Sequence, residues 1–268
     1  MNCHNGEKYL KESLNSVLKQ SYKRWELIFY DNLSKDKSKS IVQKEIKKDK
    51  RIKYFRSKKF LNLYEARNRA ISKSKGSYIC FLDTDDYWNK NKLKIQMNYI
   101  KKYKCKILYS KFFILNQIKE KLYLNSTKKL ISGFVTQNFL NEYSLGILTA
   151  ILSRSVFDKI IFNKRYNIIG DFDFFIRASM LYEIHAINKP LATYRYHDQN
   201  LSYRKIDLNL KEFNYWLKKN KLKLKKFNLK NLKWNVFKLK LKKVIKNFDK
   251  ETNLILGPKK KGIYLKFL

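Results

Sequence analysis

Near the start of the chain, Leu10, Leu14, Val17 and Leu18 recur at helical spacing within a segment running from Glu7 to Gln20, with charged residues between them. The period then changes. Trp25 to Tyr30 (WELIFY) is a short apolar run of the kind that forms a buried strand. It leads into a polar turn, Asp31-Asn32-Leu33-Ser34-Lys35-Asp36, whose Ser34 or Asp36 is placed to cap a helix over about Lys37 to Lys47. Ile52 to Phe55 predicts another short strand. Tyr64 to Ser74 returns to the helical period and stops at Gly76, and Tyr78 to Leu82 (YICFL) predicts a second strongly apolar strand. A helix over about Lys90 to Lys102, a strand element over Ile107 to Ile114, an apolar segment from Leu145 to Leu152 and a helix from Asp173 to Tyr182 follow. Strands alternating with helices predict an α/β fold, an open and mostly parallel sheet that binds ligands beyond the carboxyl ends of its strands. The polar residues directly after Tyr30 and Leu82 are therefore the first candidates for chemistry.

Composition supports a folded chain. With 268 residues, 44% hydrophobic and 15% aromatic, and only 2 Pro and 7 Gly, there is enough apolar material for a sizeable core and no low-complexity signature. Charge changes the picture more: 61 basic against 22 acidic residues leave a net +39, which favours polyanionic partners such as nucleic acid, anionic lipid or phosphorylated substrates. The same surplus also fits codon drift, since Lys, Asn, Ile, Tyr and Phe are all abundant. Cys3, Cys80 and Cys105 form no CxxC pair, which disfavours a disulfide framework and a zinc ribbon and fits a reducing cytosol. No apolar run reaches the roughly 20 residues that span a bilayer.

The loop Asp83-Thr84-Asp85-Asp86 follows the YICFL strand at once. Three carboxylates this close repel one another unless a cation neutralises them. A hard divalent ion, Mg²⁺ or Mn²⁺, sharing its coordination sphere with phosphate oxygens suits such a loop. The plainer alternative is that Asp86 caps the helix beginning near Lys90.

Four segments in order carry a resemblance: NGEKYLKESLNSVLKQSYKRWELIFYDNLSKDKS, NLYEARNRAISKSKGSYICFLDTDDYW, IIGDFDFFIR and YRYHDQNLS. Together they resemble family 2 glycosyltransferases of the GT-A fold, over about Asn2 to Ser202. The resemblance implies a nucleotide-diphospho-sugar transferase fold, with a mixed, mostly parallel sheet and helices on both faces. It implies transfer of a sugar with inversion at the anomeric carbon, UDP being the favoured donor nucleotide. By the same resemblance Asp31 and Asn32, with Ser34 and Asp36, match the turn that contacts the donor nucleoside, and Arg67 matches an arginine near the nucleotide. Asp83 matches a donor contact, Asp85 a metal ligand, and Asp86 a second metal candidate. Asp171 matches the catalytic base, with Asp173 as fallback. His197 matches a late histidine on the metal or the diphosphate. Alternation along an extended Tyr194-Arg195-Tyr196-His197 puts Arg195 on the same face as His197, which makes Arg195 a donor-site candidate. Plain structural roles stand beside each of these: a solvated turn, a helix-face cation, a helix cap at Asp171, a core histidine.

Two departures stand out. Family members begin with an apolar strand directly before the CHNG turn, and Met1 stands where that strand ends, so a start placed too late and an inactive homologue are both open readings. Gly170 replaces the glutamate that usually precedes the base.

Beyond Ser202 the chain changes character: residues 203–268 hold 21 basic and 4 acidic residues. This predicts a catalytic region over 1–202 and a basic helical region over 203–268. Trp234, Phe237, Leu241, Val244, Ile245 and Phe248 recur at helical spacing among lysines, a pattern that suits either an anionic membrane surface or packing on the catalytic region. The expected acceptor is a cell-surface glycan or lipid-linked glycan, and the expected location is the cytoplasm, peripheral on the inner face of the membrane. A nucleic-acid-binding protein is the rival reading, but it leaves Asp83, Asp85, Asp86 and Asp171 without a use.

Overall fold

The computed structural model describes residues 1–256, with the side chains of 202, 203 and 245–256 left aside. In chain order the elements are β1 (Asn2–Cys3), α1 (Glu7–Leu18), β2 (Leu27–Asp31), α2 (Ser38–Ile46), β3 (Ile52–Arg56), α3 (Leu63–Lys73), β4 (Tyr78–Cys80), β5 (Tyr87–Trp88), α4 (Lys92–Tyr103), β6 (Ile107–Asn116), β7 (Lys121–Leu124), α5 (Thr136–Asn141), β8 (Ile151–Ser153), α6 (Gly170–Ser179), β9 (Ile184–Tyr196), α7 (Leu201–Arg204), α8 (Ile206–Lys219) and α9 (Lys230–Leu256).

The mixed α/β class holds, but the strands form two sheets. The first, β1-β2-β3, is parallel throughout. The second runs β4-β8-β6-β9-β5 with β7 beside β6, and its pairs are antiparallel except β6 with β9. The expected mixed pairing is met, with its parallel part concentrated in β1-β2-β3 and in the long β6–β9 pair. The apolar segment after Leu145 returns as the short strand β8 between β4 and β6, against the direction of both.

β2 is buried along its whole length because both of its faces are covered. Leu27 and Phe29 pack with Leu10 and Leu14 of α1 and Val42 of α2, while Ile28 and Tyr30 pack with Ala66 and Ala70 of α3. A strand covered on both faces reads as a continuous apolar run. The largest core cluster joins Tyr64, Ile107, Phe162, Phe174 and Phe175 to Trp216, Leu224 and Leu232. Packing therefore crosses the division expected at residue 202, with Trp216 of α8 against Phe172 of α6.

Between the two sheets the pairing stops. β1 contributes only Asn2 and Cys3, opposite Tyr30 and Asp31, with a single further bridge from Asn2 to Asp83. The Met1 ammonium donates to the carbonyl oxygen of Ile28 at 2.8 Å, and burial lowers its pKa to about 6. Beyond Met1 lies a cavity of about 420 Å³ whose lining includes Leu27 and Ile28 on one side and Ile79, Cys80 and Ile151 on the other. β2 thus pairs with β3, and β4 with β8, with a void between them.

Candidate active site

The turn after β2 is built from its own polar side chains. Asp31 is fully buried, and its Oδ1 accepts the N–H of Ser34 at 2.7 Å while Oδ2 accepts the Tyr54 hydroxyl. Leu33 between them takes a left-handed φ of 60°, a cost that these bonds offset. The Asn32 amide brackets Leu61, donating to its carbonyl at 2.8 Å and accepting its N–H at 2.9 Å. Ser34 Oγ accepts the N–H of Asn5 at 3.0 Å. Asp36 joins two helix starts, accepting from Glu7 at 2.8 Å and Ser38 at 3.0 Å. Burial pushes its carboxyl up, but these N–H donors prevail and hold it below its ordinary value. Of the four expected donor contacts here, Asp31, Asn32 and Ser34 are buried and bonded to the chain itself, so they set the shape of the turn.

α3 supplies the centre of the site. Asn62 caps it, accepting the Glu65 N–H at 2.9 Å, and Asn68 brackets Phe162 through both amide atoms. Arg67 is 2% exposed, and its Nη2 lies 2.9 and 2.7 Å from the two carboxylate oxygens of Asp83. One turn earlier on the same face, the Tyr64 ring lies 5.0 Å beneath the Arg67 guanidinium. The Tyr64 hydroxyl lies 3.0 Å from the carbonyl of Ile168 and 3.2 Å from Asp171 Oδ1. A continuous chain of contacts thus runs from Asp83 through Arg67 and Tyr64 to Asp171. Sequence reasoning missed Tyr64, although its i,i+3 spacing from Arg67 was the available signal.

Asp171 is half-buried in the first turn of α6. Burial pushes its carboxyl above its ordinary pKa, opposed by the Arg67 charge and by donation from Phe172 N–H and the Tyr64 hydroxyl. Asp173 is placed differently. It is 3% exposed, and it accepts Trp216 Nε1 at 3.0 Å on one oxygen and Arg177 at 2.7 Å on the other. The expected fallback base is therefore a core ion pair. Gly170 has a local reason as well: a Cβ there would press into the Tyr64 ring. The glycine and the tyrosine fit as a pair. A second residue that sequence reasoning missed, Glu212 of α8, accepts the N–H groups of Asn167, Ile168 and Ile169 at 2.7, 3.0 and 3.1 Å. It shapes the turn that delivers Asp171.

The Asp83–Asp86 loop is held by the end of β9. Alternation does place Arg195 and His197 together. Arg195 donates from Nε to the Asp85 carbonyl at 2.8 Å, pairs with Glu12 and stacks on Tyr9 at 4.5 Å. His197 Nε2 lies 3.1 Å from Asp85 Oδ2, with Asn200 Nδ2 at 3.4 Å from the same oxygen. Asp86 is buried and accepts the Arg195 N–H at 2.9 Å. Burial, then the charges of Asp85 and Asp83, push its carboxyl well above its ordinary range. Gly6 of the opening turn packs on this loop, where a Cβ would stand 2.6 Å from Thr84 Oγ1. Arg195 and Asp86, expected on donor and metal, are both engaged in clamping the loop.

A metal fits this site in part. Asp85 and His197 present a carboxylate oxygen and an imidazole nitrogen side by side, a donor set suited to Mn²⁺ or Mg²⁺. Asp86 is turned away into Arg195, and among the described residues no three His, Cys, Asp or Glu side chains are gathered as a metal site.

The model of the family described as "Glycosyl transferase family 2" matches residues 1–174. The putative teichuronic acid biosynthesis glycosyltransferase TuaG of Bacillus subtilis is 28% identical over 207 residues, covering 75% of this chain and 79% of the relative. The UDP-Glc:alpha-D-GlcNAc-diphosphoundecaprenol beta-1,3-glucosyltransferase WfgD of Escherichia coli is 32% identical over 165 residues, covering 60% of this chain and 62% of the relative. Among solved structures, S. aureus TarS 1-349 in complex with UDP superposes with a TM-score of 0.60 at 21% identity, covering 79% of this chain and 63% of that one.

Proposed function

The chain belongs to glycosyl transferase family 2, and from that premise we propose that it is an inverting, metal-assisted enzyme moving a sugar from a UDP-sugar to a hydroxyl of a glycan or lipid-linked acceptor. The observation that carries this reading is the contact chain Asp83–Arg67–Tyr64–Asp171, which ties the carboxylate loop after β4 to the carboxylate at the start of α6. Inversion needs one base opposite the departing nucleotide, and Asp171 is the half-buried carboxylate at that end of the chain. Its raised pKa brings its basicity nearer to that useful in proton abstraction at neutral pH. Asp171 takes the proton of the acceptor hydroxyl while Tyr64 fixes the orientation of its Oδ1. Arg67, neutralised by Asp83, is positioned to meet the donor's negative charge as that pair opens. Asp85 and His197 would hold the divalent ion. When bound, such an ion offsets the charge developing on the leaving diphosphate.

The name of the E. coli relative, with its UDP-glucose and its diphosphoundecaprenol-linked sugar, supports UDP and a lipid-linked acceptor as the first choices. A cytoplasmic enzyme working against the inner membrane face accords with such an acceptor. Calorimetric titration of UDP with Mn²⁺, and again with chelator, tests this reading. Binding that requires the metal and disappears in Asp85→Ala is the expected result. Metal-independent binding, or none, would set aside the metal-assisted UDP site.

A further inference from the structure

α9 carries two apolar faces, and among the described residues only one of them is packed into the fold. Leu232 joins the main core, Val236 packs with Ile206 and Leu210 of α8, and Leu239 lies beside them. On that same side Lys243 pairs with Asp207 of α8 at 2.5 Å. The other face bears Trp234, Phe237, Leu241 and Val244, exposed by 52%, 45%, 38% and 63%. At about 100° per residue these four fall on one stripe, on the side of the helix away from Leu232, Val236 and Leu239. The stripe expected from the sequence is therefore real but faces outward, and the packing is done by different residues. The side chains of Ile245 and Phe248 lie outside the described residues.

The surroundings of the stripe suit one kind of partner. The same helical geometry sets Lys233 and Lys240 along one border and Lys238 and Lys242 along the other. Residues 230–244 contain no acidic side chain. The Trp234 and Phe237 rings stack at 5.4 Å, forming a flat apolar wedge with the Lys238 ammonium 5.7 Å from the indole. No helix among the described residues is long and apolar enough to cross a membrane. We propose that this face of α9 docks the protein onto an anionic lipid surface, with Trp234, Phe237, Leu241 and Val244 entering the headgroup boundary and the flanking lysines meeting the lipid phosphates. Apolar side chains between two rows of cations match a surface that is anionic outside and apolar just beneath. A nucleic acid would engage the lysines but offers no apolar layer for Leu241 and Val244. The inference stands on this helix face alone and does not depend on the sugar-transfer chemistry.

Flotation of the full chain with vesicles of phosphatidylcholine alone and of phosphatidylcholine mixed with phosphatidylglycerol tests the proposal. Binding is expected to the mixed vesicles only. It should fall by about tenfold or more in a Trp234→Ser, Phe237→Ser double variant. Because both residues are exposed, the variant should keep its melting temperature and its UDP titration. Brominated lipid should quench the indole emission of the unaltered chain and leave Trp234→Phe unquenched. Failure to bind the mixed vesicles would overturn the proposal. So would binding that the double variant retains in full, or that a random oligonucleotide abolishes while itself binding the double variant undiminished; that pattern would mark a charge-only polyanion surface. UDP binding is measured on the same samples, so loss of the donor site and loss of the lipid face are read separately.

Discussion

At the residue scale, the two carboxylates of the GDFD segment divide their work by direction. Asp171 faces Tyr64 and the site, whereas Asp173 faces Trp216 and Arg177 in the core. Asp171→Asn is expected to lower kcat by about 10²–10⁴-fold and to leave UDP affinity unchanged in calorimetry. Asp173→Asn should instead lower the melting temperature, because it breaks a buried pair and leaves Arg177 without its partner. The pH profile follows from the same environment. The raised pKa of Asp171 keeps it protonated to a higher pH than an ordinary aspartate, so kcat should fall on the acid side at a pH above about 3.9. The placement of Asp31, Asp83, Asp85, Asp171 and His197 at element ends was legible because each stands in a short motif there, whereas the part each plays in the site is proposed. The division between Asp171 and Asp173 was not legible. It depends on which side of α6 meets α8, a contact made across 43 residues of sequence.

At the element scale, α6 is aimed at its N-terminal end by two helices distant in sequence. α3 meets it through Tyr64, which occupies the space a side chain at position 170 would need. Gly170→Ala is expected to cost about 1–3 kcal/mol in chemical denaturation through overpacking against that ring, and Tyr64→Ala in the same background should relieve part of the clash. α8 meets it through Glu212, whose carboxylate accepts three successive N–H groups. Glu212→Ala leaves those donors unpaired and should destabilise by about 3 kcal/mol or more. Glu212→Gln, which keeps an acceptor oxygen, should recover part of the stability and of kcat. Helix positions were readable from apolar spacing to within a few residues. Strand direction was not, since short apolar runs such as Ile151–Ser153 carry no sign of which way they pair.

At the scale of the whole molecule, the charge of +39 and the divided sheet matter most. Backbone hydrogen bonding is what lets one part of a sheet report the loosening of another, and here that bonding is interrupted between β2 and β4. The two halves share side-chain packing, through Leu148 and Ala192 against the α1 side, but almost no ladder. Folding should therefore be less than fully cooperative across the seam. Native-state hydrogen exchange is expected to show the β2 and β3 amides opening at lower free energy than those of β6 and β9. One chain would then show two units of stability, divided along the seam.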